Sequence, residues 1–302
     1  MEFGRLESVD GVDFRLPPDL AENAARLDAG RRGHDADLRI GMASWSDPGL
    51  VARLGGGGTP AGVLRAHAAA VPANELNSTF YGFEGERMRR WGSGVPAGFH
   101  FCPKLPRAIT HDRGLDADDV MEAFVRAVEE FGDRRGPLWF ALPPTFGPDR
   151  FRALERFLRT WSDGIPLAAE VRDERWFRAG PWGEVTSLLD ELGVTLILTD
   201  TAGRRDAAHM RLTTSTAFVR FVANALHPSD YARLDDWAER LAAWADAGLE
   251  RAYFFLHQRD EAQTVDLADH LEARLAERGH AVLGPWRERT EYAPPGRQLG
   301  LF

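Results

Sequence analysis

A single cysteine, Cys102, leaves this chain without the means for an intrachain disulfide or a cysteine-rich zinc site, and its flanks Phe101 and Pro103 mark it as a small core residue. No run of about 18 apolar residues occurs, and the N-terminus lacks the basic-then-apolar pattern of a signal peptide. A cytoplasmic protein without a membrane partner is therefore expected. Basic excess is missing too: the net charge is −9 and the pI near 5.5, so no overall field holds a nucleic-acid backbone and any such contact must come from a local patch. Catalytic signatures are just as scarce. There is no Walker lysine, no Gly-x-Ser-x-Gly elbow and no His-Glu-x-x-His helix, which removes the P-loop, serine-hydrolase and zincin readings. Gly56-x-Gly58-x-x-Ala61 spells part of a dinucleotide loop, but it stands well beyond the first strand candidate rather than in a tight strand-to-helix turn.

What is present is a chain of 302 residues with 44% hydrophobic content, long enough for one large core. Residues 1–37 are charged and punctuated by Pro and Gly; they read as an extension packed on the surface, with a short helix from Pro18 to Leu27. From residue 38 short apolar runs alternate with longer amphipathic ones, as in parallel strands covered by helices. The strand candidates are Leu38 to Ser44, Pro72 to Asn77, Gly98 to Lys104, Leu138 to Leu142, Leu167 to Val171, Val194 to Thr199, Ala217 to Phe221 and Ala252 to His257. Helical periodicity fills the spaces at Val120 to Phe131, Phe151 to Trp161, Trp182 to Leu192, Leu234 to Ala247 and Val265 to Arg278. The expected fold is an α/β single domain, a TIM (β/α)8 barrel over residues 38–284, followed by a tail at 285–302.

In such a barrel the chemistry sits where strands run out at their C-terminal ends. Collecting the polar residues there gives Glu75 and Asn77, Lys104, Glu170 with Arg172, Asp200, Arg220 and His257, with His111 in the loop after the third strand. Trp45 and Trp176, just past strand ends, are candidate walls of a ligand pocket. In the mechanism these residues allow, Lys104, Arg172 and Arg220 hold substrate charge. A carboxylate among Glu75, Glu170 and Asp200 acts as base or metal ligand, and His111 or His257 acts as acid. A divalent metal, Mg²⁺ or Mn²⁺, is compatible with the carboxylates but not required by them. Structural ion pairing is the competing reading for Glu170 and Arg172, as is helix capping for Asp200.

These same stretches carry a family resemblance. Ser44-Trp45, Glu75-Leu76-Asn77-Ser78-Thr79-Phe80-Tyr81, Pro96-x-Gly98-Phe99-x-Phe101-x-x-Lys104, Ile109-Thr110-His111, Leu142-Pro143-Pro144, Glu170-Val171-Arg172 with Trp176, Asp200-Thr201 and Val219-Arg220 together resemble the YecE-like proteins, domain of unknown function seventy-two. The resemblance implies a TIM barrel and leaves the reaction open. Where the family has Arg-Leu-His-Gly on its seventh strand, this chain has Arg220-Phe221-Val222-Ala223, with His227 nearby.

The chain ends in Gln298-Leu299-Gly300-Leu301-Phe302, apolar residues behind the breaker run Ala293-Pro294-Pro295-Gly296. This tail is similar to the peptide with which bacterial DNA-processing proteins engage the sliding clamp; Gly300 replaces the usual Ser or Asp. The combined expectation is a hydrolase-type enzyme for a phosphoester or nucleic-acid-derived substrate, an anionic small molecule or a nucleic-acid fragment, brought to DNA by the clamp in DNA repair. A sugar or phosphosugar isomerase or hydrolase whose tail docks on its own barrel is the alternative. A non-catalytic clamp-linked adaptor is a third.

Overall fold

A computed structural model describes residues 4–28, 35–55, 58–161 and 164–282. The chain runs α1 (Asn23–Asp28), β1 (Asp37–Met42), α2 (Pro48–Leu54), α3 (Pro60–Ala68), β2 (Ala73–Leu76), α4 (Gly85–Ser93), β3 (His100–Pro103), α5 (Asp118–Glu129) and β4 (Leu138–Ala141). It continues through α6 (Phe151–Arg159), β5 (Leu167–Glu170), α7 (Ala179–Leu192), β6 (Thr195–Leu196), β7 (Leu198–Asp200), β8 (Thr216–Val222), α8 (Pro228–Ala247), β9 (Arg251–His257) and α9 (Thr264–Ala276). Every expected strand is found, and the sixth is split into β6 and β7 at Ile197. Three helices were not foreseen, α2, α3 and α4: they span only 7, 9 and 9 residues, too short for a convincing period. Their starts are nevertheless written in the sequence, because Asp47 and Thr59 cap α2 and α3 through their side chains and proline follows each cap.

All strand pairings are parallel. One sheet has the order β3-β2-β1-β9-β8-β7 and the other β4-β5-β6. Between β3 and β4 run two further backbone hydrogen bonds, Gly136 N donating to Phe101 O at 2.7 Å and Leu105 N to Trp139 O at 2.8 Å. The fold is thus α/β with parallel sheets, as the alternating pattern implied.

Two cores follow from the period of two along each strand. Alternate residues such as Ile40, Phe140, Val219 and Phe254 pack against the helices, where Leu234, Trp237, Leu241 and Trp244 form the buried stripe of α8. The residues between them make a smaller cluster drawn from strands alone: Ala73, Cys102, Trp139 with Ala141, Ala168, Ile197, Phe218, and Tyr253 with Phe255. In β1 the matching position is Gly41, where a Cβ would lie 2.6 Å from the Phe255 ring and 2.7 Å from Ala73 O. Only glycine fits there.

The N-terminal extension is tied down at several of its described residues. Asn23 bonds to both Met210 O and Leu212 N, and Asp19 accepts from Trp244 Nε1 at 3.0 Å. Earlier in the chain, Gly4 O accepts from Gly203 N and Thr201 Oγ1, while Arg205 donates to the carbonyls of Asp13 and Phe14. This segment therefore lies across the loops that follow β7 and β8. Among the described residues no helix is long and apolar enough to cross a membrane. The tail, Gln298 to Phe302, lies outside the described residues.

Candidate active site

Two residues beyond the apolar cluster, towards the C-terminal ends of the strands, the same row turns polar at six positions. Ala73 is followed at this spacing by Glu75, Cys102 by Lys104, Ala168 by Glu170, Ile197 by Thr199, Phe218 by Arg220 and Phe255 by His257. A period of two makes that layer unavoidable once the layer beneath it is packed.

Arg220 is its centre. The guanidinium grips Glu75 with two parallel bonds, Nε to Oε2 at 2.8 Å and Nη2 to Oε1 at 2.9 Å, and gives Nη1 to Glu170 Oε2 at 2.8 Å. Glu170 also accepts from Arg172 Nη2 at 2.6 Å and from Thr199 Oγ1 at 2.6 Å. Glu75 takes Asn77 Nδ2 at 2.9 Å and meets His257 Nε2 at 3.1 Å. Burial pushes both carboxyls up, but their partners outweigh it: the Arg220 guanidinium, with a hydrogen bond from His257, holds Glu75 well below the usual carboxylate range, and Arg172 with Arg220 brings Glu170 to about 2. Burial keeps His257 neutral, with Glu75 opposing.

Lys104 is the exception to this pairing. Its Nζ sits 4.5 Å from the centroid of Phe80 and 4.7 Å from that of Trp139, whose ring also carries Arg220 Cζ at 4.5 Å. Among the described residues no carboxylate lies within ion-pair distance of it. Burial, then the neighbouring Arg220 and Arg172, draw its ammonium down to about 8 against the pull of Glu75 and Glu170. Phe80 in turn stacks edge-on with His111, centroids 5.0 Å apart, and His111 Nδ1 is 2.8 Å from Thr110 Oγ1. Burial and Lys104 together lower the His111 pKa. The cluster holds three cations (Lys104, Arg172, Arg220) against two carboxylates (Glu75, Glu170), a surplus of one positive charge.

Not every sequence candidate arrives here. Asp200 follows Thr199, so it points the other way: Trp237 Nε1 donates to its carboxylate at 2.8 Å and Arg233 closes on it at 2.9 Å, with Arg205 as a third partner. Thr199 takes the place expected of it. Trp176 is fully buried, its indole donating to Phe146 O at 2.8 Å, and so supports the core instead of walling a pocket. Trp45 packs edge-on against Trp91, centroids 5.1 Å apart, and no interaction joins it to the charged cluster among the described residues. No group of three or more His, Cys, Asp or Glu side chains is arranged to hold a metal ion among the described residues.

Residues 39–292 match the model of the family described as Protein of unknown function DUF72. The chain belongs to that family. It is 29% identical to the UPF0759 protein YecE of Escherichia coli K12, an alignment spanning 78% of this chain and 91% of that protein. Crystal structures of two DUF72 family proteins share the fold. That of Enterococcus faecalis V583 superposes with a TM-score of 0.65 at 16% identity, covering 79% of this chain and 95% of the other. That of Thermotoga maritima MSB8 has a TM-score of 0.60 at 19% identity, covering 79% and 99%.

Beside this layer the structure holds a feature that strand-end reasoning missed. A cavity of about 290 Å³ lies between residues 5–10 of the extension and Ala223, Asn224, His227, Gln258 and Arg259 at the ends of β8 and β9. Ala225 and Leu226, which follow, both have positive φ, 57° and 59°, an unusual conformation for residues with a Cβ. Gln258 Oε1 accepts from Ala225 N at 3.1 Å and fixes that turn. Nothing in local sequence pattern signals it.

Proposed function

We propose that this DUF72 member is an enzyme for a small anionic, phosphate-bearing substrate, bound at the C-terminal ends of a (β/α)8 barrel that the two parallel sheets close. Closure is supported by the hydrogen bonds between β3 and β4, by the single-residue step from β6 to β7, and by a strand-only cluster fed from β2 through β9. The observation that carries the substrate reading is the surplus cation: an ammonium without a carboxylate partner among the described residues, beside two arginines, supplies the positive charge that a phosphate or carboxylate takes up. In this reading Lys104 and Arg172 take the substrate's charge. His111, half-buried and neutral near pH 7, moves the proton. Glu75 and Glu170, with every near neighbour a donor, hold Arg220 and Arg172 in place rather than acting as bases.

Inorganic phosphate is expected to bind with a measurable heat, and Arg172→Gln is expected to weaken it by about tenfold, the worth of about 1.4 kcal/mol. An absent heat for the unaltered protein defeats this reading.

Recruitment by the sliding clamp is a separable part of the proposal, supported by the sequence of residues 298–302 alone. Calorimetry with purified clamp should give one tail bound per clamp site, and Phe302→Ala should cost at least about 2 kcal/mol as loss of an anchoring side chain. Equal heats with and without the last five residues would remove the clamp from the picture.

A further inference from the structure

The chain has thirty-seven basic residues; thirty-six are arginine and one, Lys104, is lysine. Wherever a fixed positive charge or a forked donor suffices, this protein uses guanidinium, including at both other cations of the site. Those three cations are 3 of 37, so a lysine placed without regard to function would fall elsewhere more than nine times in ten. What an amine offers and a guanidinium does not is a lone pair that becomes available near neutral pH. The surroundings of Lys104 favour that use: its Nζ lies against two aromatic rings, has no carboxylate among the described residues to lock it as ammonium, and shares the Trp139 ring with the Arg220 guanidinium. The lowering of its pKa to about 8 agrees with the geometry.

We infer that Lys104 is a carbonyl-reactive amine, and that the anionic substrate of the proposed function, on which this inference rests, is an aldehyde or ketone. The Nζ lone pair forms a bond to the carbonyl carbon while the C=O π pair moves to oxygen, and one amine proton passes to that oxygen, giving a carbinolamine. A second proton, from solvent, lets the C–O bond break and water leave. The product is a protonated imine, whose positive charge lies above the Phe80 and Trp139 faces. No oxidant or reductant is consumed. Arg172 holds the substrate's anionic group meanwhile.

The test exploits the composition, since the chain offers only two primary amines, Lys104 and its own N-terminus. Glycolaldehyde phosphate and uncharged glycolaldehyde are each reacted with the full-length protein near neutral pH in the presence of cyanoborohydride, which reduces an imine to a stable amine, and the products are mapped by peptide mass. The expected result is one adduct per chain on the Lys104 peptide, formed at least about tenfold faster than on the α-amine with the phosphorylated aldehyde, not so favoured with glycolaldehyde, and suppressed by inorganic phosphate. Lys104→Arg should lose the adduct on that peptide while its circular dichroism matches that of the unaltered protein. If phosphate binds but the α-amine is labelled first, the imine is overturned and the anion site stands. If phosphate neither binds nor protects, both fall together.

Discussion

Replacing Arg220 with alanine is expected to cost about 3–5 kcal/mol of stability, because it strands two buried carboxylates in one step. Glu75 and Glu170 are 0% and 1% exposed, and Arg220 is the partner they share. Glu170 keeps Arg172 and Thr199, whereas Glu75 is left with Asn77 and a neutral His257. Urea unfolding followed by circular dichroism measures the loss. Combining Arg220→Met with Glu75→Gln and Glu170→Gln should restore much of it, since a neutral layer of similar volume carries no uncompensated charge. A loss below about 1 kcal/mol for the single change would mean that water already reaches these carboxylates, contrary to their burial.

The second large effect is an early acid weakness. Burial lowers His67 to about 3 and His209 to about 4, and His100, depressed also by Arg39 and Arg251, to about 4. Each folded value lies below the ordinary value of 6.5, so the unfolded chain takes up protons first. Stability from these groups is complete above pH 6.5 and is lost as pH falls towards 4 and then 3, at about 1.4 kcal/mol per pH unit for each group. Glu170, whose folded value is about 2 against an ordinary 4.5, extends the loss below pH 4.5. The urea midpoint should begin to drop near pH 6.5, and His67→Phe should make that first decline shallower. A midpoint flat down to pH 5 contradicts the burial of His67.

Most strands were legible as short apolar runs between breakers, and the long helices because α5 to α9 bury clear stripes. The site was legible as far as the period of two reaches. Glu75, Lys104, Glu170, Arg220 and His257 all stand on the inward row, so collecting strand-end polar residues found them. Asp200 was collected by the same rule and lies on the outward row; the break at Ile197 hides which parity the sixth strand keeps, and the inward Thr199 looks unremarkable next to a carboxylate. Trp176 was judged by its position after β5, but a short helical turn carries it back into the core. Pairing partners were beyond reach: Arg220 lies 145 residues from Glu75, and nothing local says that the two will meet. The lone lysine, by contrast, was countable from the start.

Residues 5–10 close one side of the cavity beside β8 and β9, and they precede residue 39, where the family match starts. They face the loops that follow β8 and β9 and form no rung of either sheet. Rewriting residues 5–10 would therefore reshape this cavity while every rung of both sheets stays as it is.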